Sequence, residues 1–213
     1  MITLYGHGTP NAQKISIALE ELGLPYETEL VDFMGGATHT PEYLKIHPAG
    51  KIPAIRDGDT TVCESNAILL YLADKTGRLA PPVSDKPARI RLLERLFIQG
   101  SLQGPMFGQR GFFAYFAPET VPFAIERYEE QGRAVDTAVE RMLADGPYLM
   151  GADYSIVDIS FYGWYFAASR MGYLDKAPKP VRDWFDRVHN RDAVARGIAA
   201  FPLFELPPRK QVA

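Results

Sequence analysis

Residues 9–14, Thr-Pro-Asn-Ala-Gln-Lys, follow a short strand-like run, Ile2–Tyr5, and lead into apolar residues at Ile15, Ala18, Leu19 and Leu22. That spacing is helical, and Gly23 supplies the stop signal. The segment therefore reads as strand, tight loop and helix, the helix running from about residue 11 to 22. A helix that begins there leaves unpaired N–H groups facing the loop, and its dipole favours negative charge at the same point. Thr9 adds a hydroxyl and Asn11 a carboxamide. None of these groups is a nucleophile at neutral pH, so a reactive anion held there must arrive with a ligand.

On the C-terminal side, a strand is expected near Tyr26–Val31, then a Gly35-Gly36 loop and a short helix around Pro41–Ile46. Two strands flank Asp57-Gly58-Asp59, a hairpin signature. A further helix opens at Glu64-Ser65 and closes at Gly77. A βαβ unit followed by a ββα unit makes residues 1–77 an α/β domain. The proline-rich stretch 78–87 reads as a linker.

Residues 88–213 read as all-helical. Ala88–Phe113 and Glu119–Leu143 are long candidates, with Gly104-Pro105 and Pro122 expected to bend or interrupt them. Ser155-Ile156-Val157-Asp158 has capping-box spacing and opens a helix over Ile156–Met171. Val181–Asn190 and Asp192–Ala200 follow, and residues 207–210 read as a frayed tail.

The composition narrows the function. No stretch of the 213 residues reaches the ~18 consecutive apolar positions of a membrane span. The opening Met-Ile-Thr-Leu-Tyr lacks a charged leader ahead of an apolar block, so no signal peptide is expected. A single cysteine, Cys63, allows neither an internal disulfide nor a cysteine-based metal site. A cytoplasmic location is the expectation. Net charge is −3, with six Lys/Arg against ten Asp/Glu in residues 1–80 and seventeen against sixteen beyond. Neither part carries the basic stripe of a nucleic-acid binder. His7, His39, His47 and His189 have no metal-ligand spacing, so no metal is expected.

Lys51-Ile52-Pro53-Ala54-Ile55, Glu64-Ser65-Asn66-Ala67-Ile68 and Tyr154-Ser155-Ile156-Val157-Asp158-Ile159 resemble three motifs of the cytosolic glutathione transferases. The resemblance implies a thioredoxin-like α/β N-terminal domain, an all-α C-terminal helical bundle and a homodimer. Thr9-Pro10-Asn11, together with residues 104–109 and 124–128, looks most like the bacterial Nu-class of disulfide-bond reductases. Where that class carries a glutamine, this chain has Thr38, whose shorter side chain lacks the reach; His39 beside it is the alternative.

The resemblance also implies roles. Ile52, before a cis-Pro53, would pair its backbone with the cysteinyl unit of glutathione, as an added strand does. Ser65, at a helix start, would hold the γ-glutamyl carboxylate and Glu64 the ammonium. Lys51 would neutralise the glycine carboxylate. Arg127 would reach a partner subunit's ligand; its alternative is a surface pair with Glu130 or another neighbour. Thr9 and Asn11 would lie at the sulfur, where donors to a charged acceptor are worth about 1.5–3 kcal/mol each. Tyr5, in the strand, reads as core, and Cys63 as a buried thiol. The aromatic clusters Phe112–Phe116 and Trp164–Phe166 are candidates to wall a hydrophobic cosubstrate pocket; most of their rings read as interhelical core, with the first cluster near the cleft.

With no Cys-x-x-Cys pair, reducing electrons must come from glutathione thiols. The leading expectation is a glutathione-dependent disulfide reductase acting on small or protein disulfides, with peroxide reduction as a further possibility. The alternatives are a transferase conjugating glutathione to hydrophobic electrophiles, and a non-catalytic interaction protein of the same fold.

Overall fold

The computed structural model describes residues 1–210 of the chain. β1 (Ile2–Gly6), α1 (Pro10–Leu22) and β2 (Tyr26–Leu30) form a parallel βαβ unit. A short helix, α2 (Pro41–Leu44), leads to the hairpin of β3 (Ala54–Asp57) and β4 (Thr60–Cys63). The sheet order is β2-β1-β3-β4, with β3 antiparallel to both neighbours. α3 (Ser65–Thr76) completes a mixed sheet with helices of the thioredoxin-like kind, and the elements that follow it among the described residues are all helices.

Sequence spacing gave α1 one apolar face. In the structure every residue from Ala12 to Leu19 is buried, including Gln13, Lys14 and Ser16. The helix packs against α3, α7 (Ile156–Arg170) and α9 (Asp192–Ala199). Two glycines permit this. A Cβ on Gly197 would lie 2.5 Å from Ile17 Cα, and one on Gly163 would lie 2.5 Å from the Pro10 carbonyl oxygen. Arg191 and Arg196 pair with Glu21 and Glu20 at 2.5 and 2.7 Å, joining α9 to the C-terminal end of α1.

α4 (Lys86–Ile98) starts earlier than the apolar spacing suggested, because the Asp85 carboxylate accepts from the Ala88 N–H at 3.2 Å and caps it. The 78–87 segment is tied back at its start: Arg78 donates to the Leu22 and Glu21 carbonyls at 3.0 Å. Gly104-Pro105 does not break the chain's helical course. A π-helical turn over Gln99–Gln103 precedes α5 (Gly104–Gly111), and a second π turn, Phe112–Phe116, follows it. Pro105 cannot donate a backbone hydrogen bond, and the widened turn absorbs the missing one.

Pro122 begins α6 (Pro122–Met142) rather than interrupting it, so the expected start at Glu119 is three residues early. At the first helical turn a proline's missing N–H costs nothing. α8 (Lys179–His189) and α9 close the bundle. The capping box is present: Asp158 Oδ2 accepts from the Ser155 N–H at 2.9 Å, and Ser155 Oγ accepts from Val157 at 3.2 Å. Asp158 Oδ1 also accepts from Leu149 N–H and Trp184 Nε1 at 2.8 and 2.9 Å. Burial nonetheless holds its pKa above the ordinary carboxylate value.

Residues 207–210 are not frayed. Arg209 pairs with Glu129 at 2.5 Å and lies over the Tyr173 ring, and the Lys210 N–H donates to the Ala114 carbonyl at 2.9 Å. An isolated parallel bridge between Gly8 and Leu203 draws the chain ahead of this segment across the first loop.

Candidate active site

The start of α1 opens into a cavity of about 290 Å³ lined by Thr9, Pro10, Asn11, Phe33, Thr38, His39, Gly50, Lys51, Ile52 and Trp164. Six of the residues singled out from sequence therefore meet around one space. Thr9 holds the N-cap position, yet its hydroxyl makes no cap bond. Thr9 Oγ1 is buried and has no partner among the described residues. An unpaired buried hydroxyl costs roughly 1–3 kcal/mol, a penalty that a bound acceptor would remove.

Asn11 is fixed differently. Its Oδ1 accepts from Trp164 Nε1 at 3.0 Å, which leaves the Nδ2 donors for the cavity. Trp164, read from sequence mainly as core, is thus part of the site. Distance in the chain hid it: the two residues are 153 positions apart.

Below them the Ile52–Pro53 peptide is cis. Tyr43 Oη donates to the Lys51 carbonyl at 2.8 Å. No hydrogen bond among the described residues uses the Ile52 N–H or C=O, so this backbone edge is open to a ligand. Thr38 is buried at 2% exposure and His39 exposed, both on the cavity wall. A Cβ on Gly50, whose φ is +60°, would come within 2.8 Å of His39 Nδ1, so glycine lets the imidazole lie against this turn.

Glu64 and Ser65 stand at the start of α3, outside the lining of this cavity. Glu64 has φ 69° and ψ 115°, a conformation that costs a non-glycine residue about 1–3 kcal/mol. It sits 3.7 Å from His47 Nε2, whose pKa is pulled down by burial. Ser65 Oγ accepts from the buried Lys14 ammonium at 3.2 Å. Sequence reasoning passed over Lys14 and His47; the one signal for Lys14 was a charged residue inside an otherwise buried helix.

Arg127 is exposed on α6, stands apart from this cavity and has no salt bridge among the described residues. The alternative reading, a surface pair with Glu130 or another neighbour, is not formed among the described residues either. Tyr5 is 4% exposed and packs edge-on against Tyr43, as a core residue. Cys63 packs with Tyr5, Val31, Tyr43 and Ala54 and does not line the cavity.

A second cavity, about 380 Å³, shares Thr9, Pro10, Phe33 and Trp164 with the first. Its further walls include Phe112, Phe116, Phe166, Phe204 and Leu206, and Arg127 is not among them. Phe113 instead stacks on Tyr128, Tyr115 Oη donates to the Met171 carbonyl, and Tyr165 Oη donates to Asp136. Phe33 and Phe204 were not expected there. Phe204 arrives only because the tail folds back. Among the described residues no group of His, Cys, Asp and Glu is placed to hold a metal, and no helix is long and apolar enough to cross a membrane.

The arrangement offers an aromatic cavity beside donors at a helix N-terminus, an open backbone edge and a further helix start. Residues 1–74 match the family description "Glutathione S-transferase, N-terminal domain" and residues 122–187 match "Glutathione S-transferase, C-terminal domain". The chain is 39% identical over 206 residues to the disulfide-bond oxidoreductase YfcG of Escherichia coli, covering 93% of this chain and 94% of that protein. It is 41% identical over 189 residues to glutathione S-transferase 2 of Schizosaccharomyces pombe, covering 83% and 82%. A Pseudomonas fluorescens glutathione transferase family member, crystallised with two glutathione bound, superposes with a TM-score of 0.84 at 36% identity, covering 97% of this chain and 93% of that one. The chain belongs to the glutathione S-transferase family of enzymes.

Proposed function

We propose that this enzyme binds glutathione and uses its thiol to reduce disulfides. The observation that carries the reading is the unpartnered Thr9 hydroxyl beside the Trp164-oriented Asn11 amide, both at the N-terminus of α1. A free thiol is ionised by only a few per cent at neutral pH. Two donors and a helix dipole aimed at the sulfur favour the thiolate. The Ile52 backbone after Lys51 and before Pro53 aligns the tripeptide, and Ser65 and Glu64 take its γ-glutamyl end. Lys51 takes the glycine carboxylate, with Thr38 and His39 on the opposite wall. In this reading residues 1–77 hold the tripeptide, 78–87 link, and 88–213 form the helical domain, whose described residues supply most of the second cavity's wall; residues 211–213 lie outside the described residues.

No cysteine lines either cavity, so the protein contributes no thiol of its own. One glutathione thiolate attacks the disulfide and expels a product thiolate, which is protonated. A second glutathione then opens the mixed disulfide, giving two product thiols and glutathione disulfide. The similarity to a protein named disulfide-bond oxidoreductase, and to a structure holding two glutathione, supports this choice. Exposed Ile90 and Phe97 on α4 favour a homodimer, which Arg127 would need in order to reach a ligand.

The apolar second cavity supports a second reading, conjugation of glutathione to a hydrophobic electrophile. Paired assays with 2-hydroxyethyl disulfide and chlorodinitrobenzene separate them. Disulfide reduction at the higher rate supports the proposal; conjugation without disulfide reduction defeats it. Failure to bind glutathione or its disulfide by calorimetry would leave a non-catalytic member of the family.

A further inference from the structure

Lys14 is 1% exposed, and no carboxylate of the described residues forms a salt bridge with it. Its ammonium donates to Ser65 Oγ at 3.2 Å and to Gln99 Oε1 at 2.9 Å. An ammonium has three donors and no acceptor, so Ser65 Oγ can only accept from it. The Ser65 proton has no acceptor among the described residues, and its direction is set by the lysine behind it. The scaffold holding the ammonium is itself fixed. Gln99 Oε1 also accepts from Asn66 Nδ2 at 3.0 Å, while Gln99 Nε2 donates to Gln103 Oε1 at 3.2 Å. The π-helical turn puts both glutamines in this network.

A buried cation without a counter-charge is costly. Burial lowers the Lys14 pKa to about 7, with Glu64 the charged group that opposes the shift. The neighbouring turn brings the neutral Gln99, and α7 brings Gly163, where an added Cβ would sit 3.1 Å from Lys14 Cγ. α9 places its arginines on Glu20 and Glu21, away at the other end of α1.

We infer that Lys14 is a positioning residue for a ligand carboxylate at Ser65: the carboxylate is its missing counter-charge, and Lys14 turns the Ser65 hydroxyl outward to donate to it. The inference rests on the glutathione reading, with the γ-glutamyl carboxylate as that ligand group. Lys14 touches no reacting atom. It sets the strength and sign preference of the anion subsite from behind.

Calorimetry with S-methylglutathione and with an analogue in which 4-aminobutyryl replaces the γ-glutamyl unit tests this. The analogue keeps the amine and loses only the α-carboxylate. Wild type should prefer S-methylglutathione by about tenfold or more, and Lys14→Met should erase most of that preference while binding the analogue as wild type does. A merely structural lysine would weaken both ligands alike, and that outcome overturns the inference. If Lys14→Met does not fold, wild type alone decides. Titrations at pH 8 in buffers of different ionisation enthalpy should show proton uptake with S-methylglutathione and none with the analogue, because an added negative charge restores the lysine's proton. Equal proton counts for the two ligands would overturn it. Wild type that binds neither ligand would instead sink the glutathione reading, and this inference with it.

Discussion

Trp164 Nε1 donates to Asn11 Oδ1 at 3.0 Å, across the seam between the sheet-bearing part of the chain and the helical part. One helix thereby sets the amide orientation of a residue on another. With its oxygen occupied, Asn11 can face the cavity only with its N–H donors. A Trp164→Phe substitution keeps the ring and removes the donor. The thiol pKa of bound glutathione should rise by about one unit, equivalent to about 1.4 kcal/mol. Thiolate ultraviolet absorbance of the complex against pH measures it, and an unshifted titration would refute the orienting role.

Thr9 separates function from stability. Its hydroxyl is buried and unpaired, so Thr9→Val should leave the urea midpoint unchanged or raise stability by up to about 1 kcal/mol. The same change should raise the bound thiol's pKa, as should Asn11→Ala. A Thr9→Val protein that is clearly less stable would mean the hydroxyl has a structural partner.

Gly163 lets α7 approach the start of α1. A Cβ there would press to 2.5 Å on the Pro10 carbonyl oxygen, which is backbone and cannot swing aside. Gly163→Ala should cost about 1–3 kcal/mol of stability and weaken glutathione binding, because the displaced turn carries Thr9 and Asn11. Chemical denaturation and calorimetry together check this; wild-type values in both would show that the helices separate freely.

Phe204 packs against His7, Phe33 and Phe116 at centroid distances of 6.3, 6.4 and 5.8 Å. Phe204→Ala should raise KM for an aromatic electrophile severalfold and leave the Kd for glutathione within about twofold, since the ring lines only the apolar cavity. Loss of glutathione affinity of equal size would place the tail in the tripeptide site instead.

Lys14 has a pH signature without ligand. Its pKa falls from 10.5 to about 7 on folding, through burial. Between those values the unfolded chain binds more protons, so this group makes stability rise with pH across that window. Lys14→Met lacks that contribution. The stability difference, wild type minus variant, should therefore grow from about pH 7 to about pH 9.5 in urea titrations. Parallel pH profiles would show that the buried amine keeps an ordinary pKa.

The hairpin, the capping box at Ser155 and Asp158, and the Thr9–Asn11 loop were legible in sequence because each rests on contacts within a few residues, and the βαβ unit because each of its elements carries its own period, although its strands pair 24 positions apart. So was the grouping of Thr38, His39, Lys51 and Ile52, once a family resemblance supplied their neighbours. The course of residues 99–116 was not legible. Gly104-Pro105 reads as a bend or an interruption, and packing of that helix against α7 and α6 selects widened π turns over a true interruption. The tail was misread for a similar reason. Pro207-Pro208-Arg209-Lys210 has no local structure to announce, and its order comes from Glu129, Tyr173 and Ala114, all distant in the chain.

The sequence by itself determined which elements form and put a hydroxyl and an amide at a helix start, since propensity, capping and turn chemistry act over one or two turns. Only the tertiary structure decided how those groups point and what stands behind them. Trp164 orients Asn11, Lys14 backs Ser65, and Phe204 walls the second cavity, each through a contact between residues at least 51 positions apart. Such contacts depend on how rigid elements are brought together, and no local pattern encodes that distance.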